Sequence, residues 1–86
     1  MKTQTMSTPK FRYVFRNSFC LDYALPTIKT MVAAYFKNGA TLRYPANDTV
    51  IVELKEAVTD KELGGYEHDL NSWLRYNFAD VRISFA

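Results

Sequence analysis

Eighty-six residues carry eleven Lys and Arg against nine Asp and Glu, a formal charge of +2, and 48% of the chain is hydrophobic and 15% aromatic. That length supports one core rather than two, and that apolar content excludes a disordered polymer. A lone cysteine, Cys20, excludes an internal disulfide, and the longest apolar run, Met31 to Phe36, is far short of the roughly twenty residues a membrane-spanning helix needs.

Residues 1–10, MKTQTMSTPK, are polar and without period, so they are expected to form a flexible tail ahead of a single domain over 11–86. They hold no apolar segment of the secretory kind, and a cytoplasmic location is expected. From Phe11 the pattern alternates, with Phe11, Tyr13 and Phe15 on one parity and Arg12, Val14 and Arg16 on the other, which predicts a half-buried strand.

A helix comes next. Ile28, Met31, Val32, Tyr35 and Phe36 fall on one stripe, opposite Lys29, Thr30, Ala33 and Lys37. Pro26 is expected in the first turn, where its missing amide hydrogen is not needed, with Asp22 or Thr27 as the cap. Lys37, Asn38 and Gly39 close the helix, a cation and then the residue that best tolerates a left-handed conformation.

TLRYPANDTVIVELKE then predicts a hairpin, with strands Thr41–Tyr44 and Thr49–Lys55 about a turn at Pro45–Asp48. Leu42, Tyr44, Val50, Val52 and Leu54 take the core parity. Thr59 and Glu62 have the spacing of a capping box, but Gly64 and Gly65 interrupt the segment after it, so a turn is expected there and a helix from Gly65 to Asn77. Its stripe is Tyr66, Leu70, Trp73 and Leu74, with Asn77 or Phe78 at the end. The last strand sets Val81, Ile83 and Phe85 against Arg82 and Ser84.

The order strand, helix, strand, strand, helix, strand predicts the split βαβ, ferredoxin-like α+β fold, a four-stranded antiparallel sheet with both helices on one face and a spatial strand order of 4-1-3-2. The other face is then open. It is expected to hold Arg12, Val14, Arg16, Arg43, Ile51, Glu53, Lys55, Arg82 and Ser84, because the opposite register would bury unpaired guanidinium groups at several kcal/mol each. Five cations and one carboxylate on that face leave about −2 for the rest of the molecule, so charge is segregated although the sum is small.

Any solvated sheet face needs polar residues, but arginine also binds carboxylates and phosphates in two-point fashion. The topology is similar to that of RNA-recognition domains, yet every strand aromatic lies on the core parity and the third strand has none, so the base-stacking rings of that family are missing. It is similar also to acylphosphatase, whose phosphate loop is glycine-rich, while RNSFCLD here holds no glycine. Cys20 and His68 are too few for a zinc site and have no spacing that makes them a nucleophile pair.

The sequence therefore points to a non-catalytic binding protein without metal or cofactor. The partner-binding residues are Arg12, Val14, Arg16, Arg43, Ile51, Lys55 and Arg82, with Val14 and Ile51 as an apolar spot inside an arginine surround. The expected partner is a protein with an acidic surface, met by this face or by an edge strand. Nucleic acid is the alternative, sheet-to-sheet homodimerisation a third reading, and no membrane is involved. A small chain of this type resembles the accessory proteins that phages and other mobile elements use to bind and block a host protein in the host cytoplasm.

Overall fold

A computed structural model describes residues 8–86. In chain order it holds β1 (Lys10–Val14), α1 (Ser18–Tyr35), β2 (Ala40–Ala46), β3 (Thr49–Leu54), α2 (Asp60–Asn77) and β4 (Arg82–Phe85). The strands form one antiparallel sheet in the order β2-β3-β1-β4, the expected order read from the other edge. This is the ferredoxin-like α+β arrangement. Among the described residues no helix is long and apolar enough to cross a membrane.

β1 and β3 are central and carry the core. Phe11, Tyr13 and Phe15 from one, and Val50, Val52 and Leu54 from the other, are buried against Leu21, Ala24, Ile28 and Val32 of α1 and Tyr66, Leu70 and Leu74 of α2. Each large apolar side chain removed from water in this way contributes about 1.5–3 kcal/mol. The Tyr13 and Tyr66 hydroxyls meet at 3.0 Å inside this core, so each phenol brings a buried polar group that the other satisfies.

The first strand begins inside the segment expected as a tail. Residues 1–7 lie outside the described residues, but Lys10 already belongs to β1, and the Pro9 carbonyl accepts the Leu54 N–H at 3.2 Å. Strand pairing, which no local pattern announces, reaches back past Phe11.

α1 begins eight residues before Pro26. Asn17 is its cap, its side chain accepting the Cys20 N–H at 2.9 Å, so Asp22 and Thr27 are not caps. Pro26 therefore lies in the helix interior. The carbonyl that loses its donor belongs to Asp22, an exposed residue, where water can take the donor's place. The far end stops short of the expected close: α1 ends at Tyr35 with Phe36 as an extended cap, so Lys37 lies past the last turn, and Gly39 at φ +69 closes the turn that follows, its N–H donating to the Phe36 carbonyl at 3.0 Å.

β2 departs from a simple hairpin. Arg43 pairs with Ile51 but Ala46 pairs with Thr49, so Tyr44 and Pro45 together oppose Val50 in a β-bulge and the turn shrinks to Asn47–Asp48. Pro45 has no N–H to give to a ladder and fits an edge-strand bulge. The bulge takes Tyr44 out of the core, leaving it 50% exposed, against the expectation from parity. Phe85 keeps its parity, stacking obliquely on Phe11 with ring centres 5.3 Å apart, but sits on the outer strand and stays 60% exposed.

α2 starts at Asp60, not at Gly65. The capping box is real: Thr59 accepts the Glu62 N–H through its hydroxyl, and the Glu62 carboxylate accepts the Thr59 N–H at 3.0 Å. The Thr59 N–H, and the Thr59 hydroxyl that also donates to the same oxygen at 3.0 Å, hold the Glu62 carboxyl below the usual range. The helix runs straight through Gly64 and Gly65, and Gly65 lets Tyr35 of α1 approach: a Cβ there would stand 3.1 Å from the Tyr35 ring. Asn77 ends the helix exposed, and Phe78 beyond it packs edge-on against Phe15, Tyr23 and Trp73.

Candidate interface on the open sheet face

The strand registers arrange the open face in rows. Arg43, Ile51, Arg12 and Ser84 form one row across the four strands. Thr41, Glu53 and Lys10 form the row on one side, and Thr49, Val14 and Arg82 the row on the other. Alternation along each strand puts these side chains on one surface because the other parity is filled by the core. Val14 and Ile51 are thus diagonal neighbours rather than a directly facing pair.

Two of the expected residues leave the sheet. Arg16 lies past the end of β1, in the bend before Asn17, and its guanidinium faces the Asp80 carboxylate of the α2–β4 turn at 3.9 Å. Lys55 lies beyond β3, where its N–H donates to the Gly39 carbonyl at 3.3 Å. Lys10, which composition assigns to a tail, joins the face instead. The strand residues then present Lys10, Arg12, Arg43 and Arg82 against the single carboxylate of Glu53.

Glu53 divides those cations. Arg43 Nε donates to Glu53 Oε1 at 2.9 Å, and Lys10 Nζ stands 3.5 Å from Oε2. The hydrogen bond from Arg43, with the charges of Arg43 and Lys10 behind it, holds the Glu53 carboxyl below the usual range. Among the described residues no carboxylate lies within ion-pair distance of Arg12 or Arg82. These two cations are exposed, lie on adjacent strands, and flank Val14, which is half-buried. Glu53 thus offsets one of the two cations it engages, Arg43 and Lys10, whereas Arg12 and Arg82 have no such partner among the described residues.

The remaining chemistry-bearing residues are scattered. Cys20, in the first turn of α1, lines a depression of about 170 Å³ with Arg16, Asn77, Phe78, Asp80 and Val81. His68 lies nine residues before Asn77 on α2, about 13 Å along the axis, so the fold keeps the two apart. The RNSFCLD segment, expected as a loop, is mostly the first turns of α1. Among the described residues no three His, Cys, Asp or Glu side chains come together as a metal site would require.

Compared with family models, with curated proteins and with solved structures, the chain gives no match.

Proposed function

We propose that the protein acts by binding, and that the β4 side of the open sheet face docks an acidic surface of a partner protein. The observation that carries this reading is the pair of exposed guanidinium groups, Arg12 and Arg82, that lack a carboxylate partner among the described residues and adjoin Val14, Arg82 across the strand pair and Arg12 two residues along β1. Two planar cations at an apolar centre suit carboxylates delivered two at a time, and arginine is over-represented among residues that carry binding energy. Arg43 is a lesser contributor, since Glu53 already engages it. A chain this small would modulate its partner by covering part of it, as accessory proteins of mobile elements block host proteins.

The test is affinity purification from the source cell with the natural chain and with Arg12→Glu/Arg82→Glu. The natural chain should retain an acidic partner, and the double charge reversal should release it while circular dichroism stays unchanged. Retention by the double variant sinks the reading. Fluorescence anisotropy with labelled oligonucleotides separates the alternative, in which the same arginines contact phosphates: binding there would weaken steeply with salt, with a slope set by the phosphates neutralised. The burial of Phe11, Tyr13 and Phe15, which removes these rings beside the arginines as stacking platforms, favours protein over nucleic acid.

A further inference from the structure

α1 has two seams. The inner one, Leu21, Ala24, Ile28 and Val32, is buried in the core. The outer one runs Phe19, Tyr23, Pro26, Thr30 and Ala33, at steps of four, three, four and three, and all five are exposed, Phe19 at 80% and Tyr23 at 68%. That alternation of four and three is the repeat on which two helices lie along one another. None of the five carries a charge, and the Thr30 hydroxyl donates to the Pro26 carbonyl at 2.9 Å, so the hydroxyl of Thr30 is satisfied within the helix. A helix with an ordinary solvent side shows charge there. Over its eighteen residues α1 has only Asp22 and Lys29, and both flank the seam rather than sit on it.

We propose that this outer seam is a homodimer interface, on which the α1 helix of a second copy packs antiparallel about a twofold axis at Pro26. A twofold contact must be self-complementary, so each residue meets the residue an equal distance beyond the axis. Phe19 and Ala33 are each seven positions from Pro26, and Tyr23 and Thr30 are three and four. The antiparallel arrangement therefore sets the large rings of the first half of the seam against the small side chains of the second half, twice over. Asp22 and Lys29 straddle Pro26 by four and three positions, which brings the carboxylate of one copy beside the ammonium of the other at both rims.

Charge excludes the competing self-contact. Two open sheet faces would bring together surfaces that each carry Lys10, Arg12, Arg43 and Arg82 against the single carboxylate of Glu53, whereas the seam is neutral. Phe78, half-buried beyond the end of α2, meets the Tyr23 ring at 6.0 Å and extends the apolar surface beyond the helix itself. A single helix pair is a small interface, so association is concentration-dependent in the micromolar range or weaker. The inference does not depend on the proposed function: the seam is on the helix side of the sheet, so both arginine faces of the dimer remain open.

The test is sedimentation velocity on the full chain across a concentration series from micromolar to near-millimolar. The natural chain should rise toward twice its own mass and stop there. Pro26→Glu and Ala33→Glu, each placing like charges or a buried charge in the contact, should remain at the mass of one chain. Pro26→Glu also removes an interior proline, so a loss of dimer by this variant cannot be laid to a weakened helix. In a Cys20→Ser background, Pro26→Cys should form a disulfide-linked dimer on mild oxidation and Lys61→Cys, exposed on α2, should not. One-chain mass throughout, growth beyond two chains, or a dimer indifferent to both glutamates would overturn the proposal.

Discussion

Alanine at Gly64 and alanine at Gly65 are expected to part company, although the two glycines are neighbours in one helix. In a helix interior glycine is less favourable than alanine by about 0.8–1 kcal/mol, because it loses more backbone freedom on folding. At Gly64 an added Cβ meets nothing within 4 Å, so the whole gain is kept. For a domain of this size it should raise Tm by roughly 4–8 °C.

At Gly65 the Cβ would stand 3.1 Å from Tyr35 Cε1, with Cδ1 at 3.9 Å and Cζ at 4.0 Å. The Tyr35 ring is not free to swing away, since its hydroxyl donates to Asp69 and its ring contacts those of Phe36 and Tyr66. Overpacking of about 1–3 kcal/mol opposes the helical gain, and the net effect is zero to about 2 kcal/mol of destabilisation. Urea and thermal unfolding monitored by circular dichroism measure both variants, and Gly65→Ala in a Tyr35→Ala background should recover the stabilisation seen at Gly64. If Gly64→Ala lowers Tm, residue 64 is not inside a helix; if both alanines stabilise equally, the helices do not touch at Gly65.

The buried phenols and the α2 cap give three more expected outcomes. Tyr13→Phe or Tyr66→Phe alone strands the surviving buried hydroxyl and should cost about 1–3 kcal/mol, whereas the double Phe variant should cost less than the sum of the two, as a double-mutant cycle in urea would show. Burial, reinforced by the Glu67 carboxylate, pushes the Tyr66 phenol up to about 12, and burial raises Tyr13 as well. Unfolded tyrosine ionises near pH 10, so above that the unfolded chain binds fewer protons than the native one, and stability should fall by about 1.4 kcal/mol per pH unit for each phenol. Urea midpoints between about pH 9 and pH 11.5 should show this loss in the natural chain and a flatter curve in the double Phe variant; parallel curves would refute it. Thr59→Ala removes the cap of α2 and should destabilise by about 1 kcal/mol, whereas no change would place the helix start beyond Gly65.

The sheet was legible in the sequence because period-two alternation is local: Phe11, Tyr13 and Phe15 against Arg12 and Val14 already separate two faces. The departures have physical causes that a linear pattern hides. Pro26 looks like a helix start only if its missing N–H must matter, yet Asp22, whose carbonyl loses that donor, is an exposed residue where water can take the donor's place; the competing signal, Asn17 three residues before the Cys20 amide, was present. One extra residue at Tyr44–Pro45 reverses parity, and alternation alone cannot say on which strand the count slips, although a proline in a strand points to the edge. Gly64–Gly65 read as a break because intrinsic propensity ignores the neighbour that needs the space. On the candidate site, Arg12 and Arg82 were readable, but the neutralisation of Arg43 was not. It depends on Glu53 reaching across the β2–β3 pairing to Arg43, ten positions away in sequence, while sharing its other oxygen with Lys10, forty-three positions away.

The bulge in β2 has a further consequence for behaviour at high concentration. β2 is the longer of the two outer strands, seven residues against four in β4, and so would be the better template for stacking one molecule's sheet onto the next. Pro45 breaks the row of donors and the doubled residues twist the strand, so an incoming strand cannot extend its ladder past Arg43. Straightening this edge, by Pro45→Val with Tyr44 deleted, should shift the protein from dispersed to fibril-forming, which thioflavin fluorescence would record.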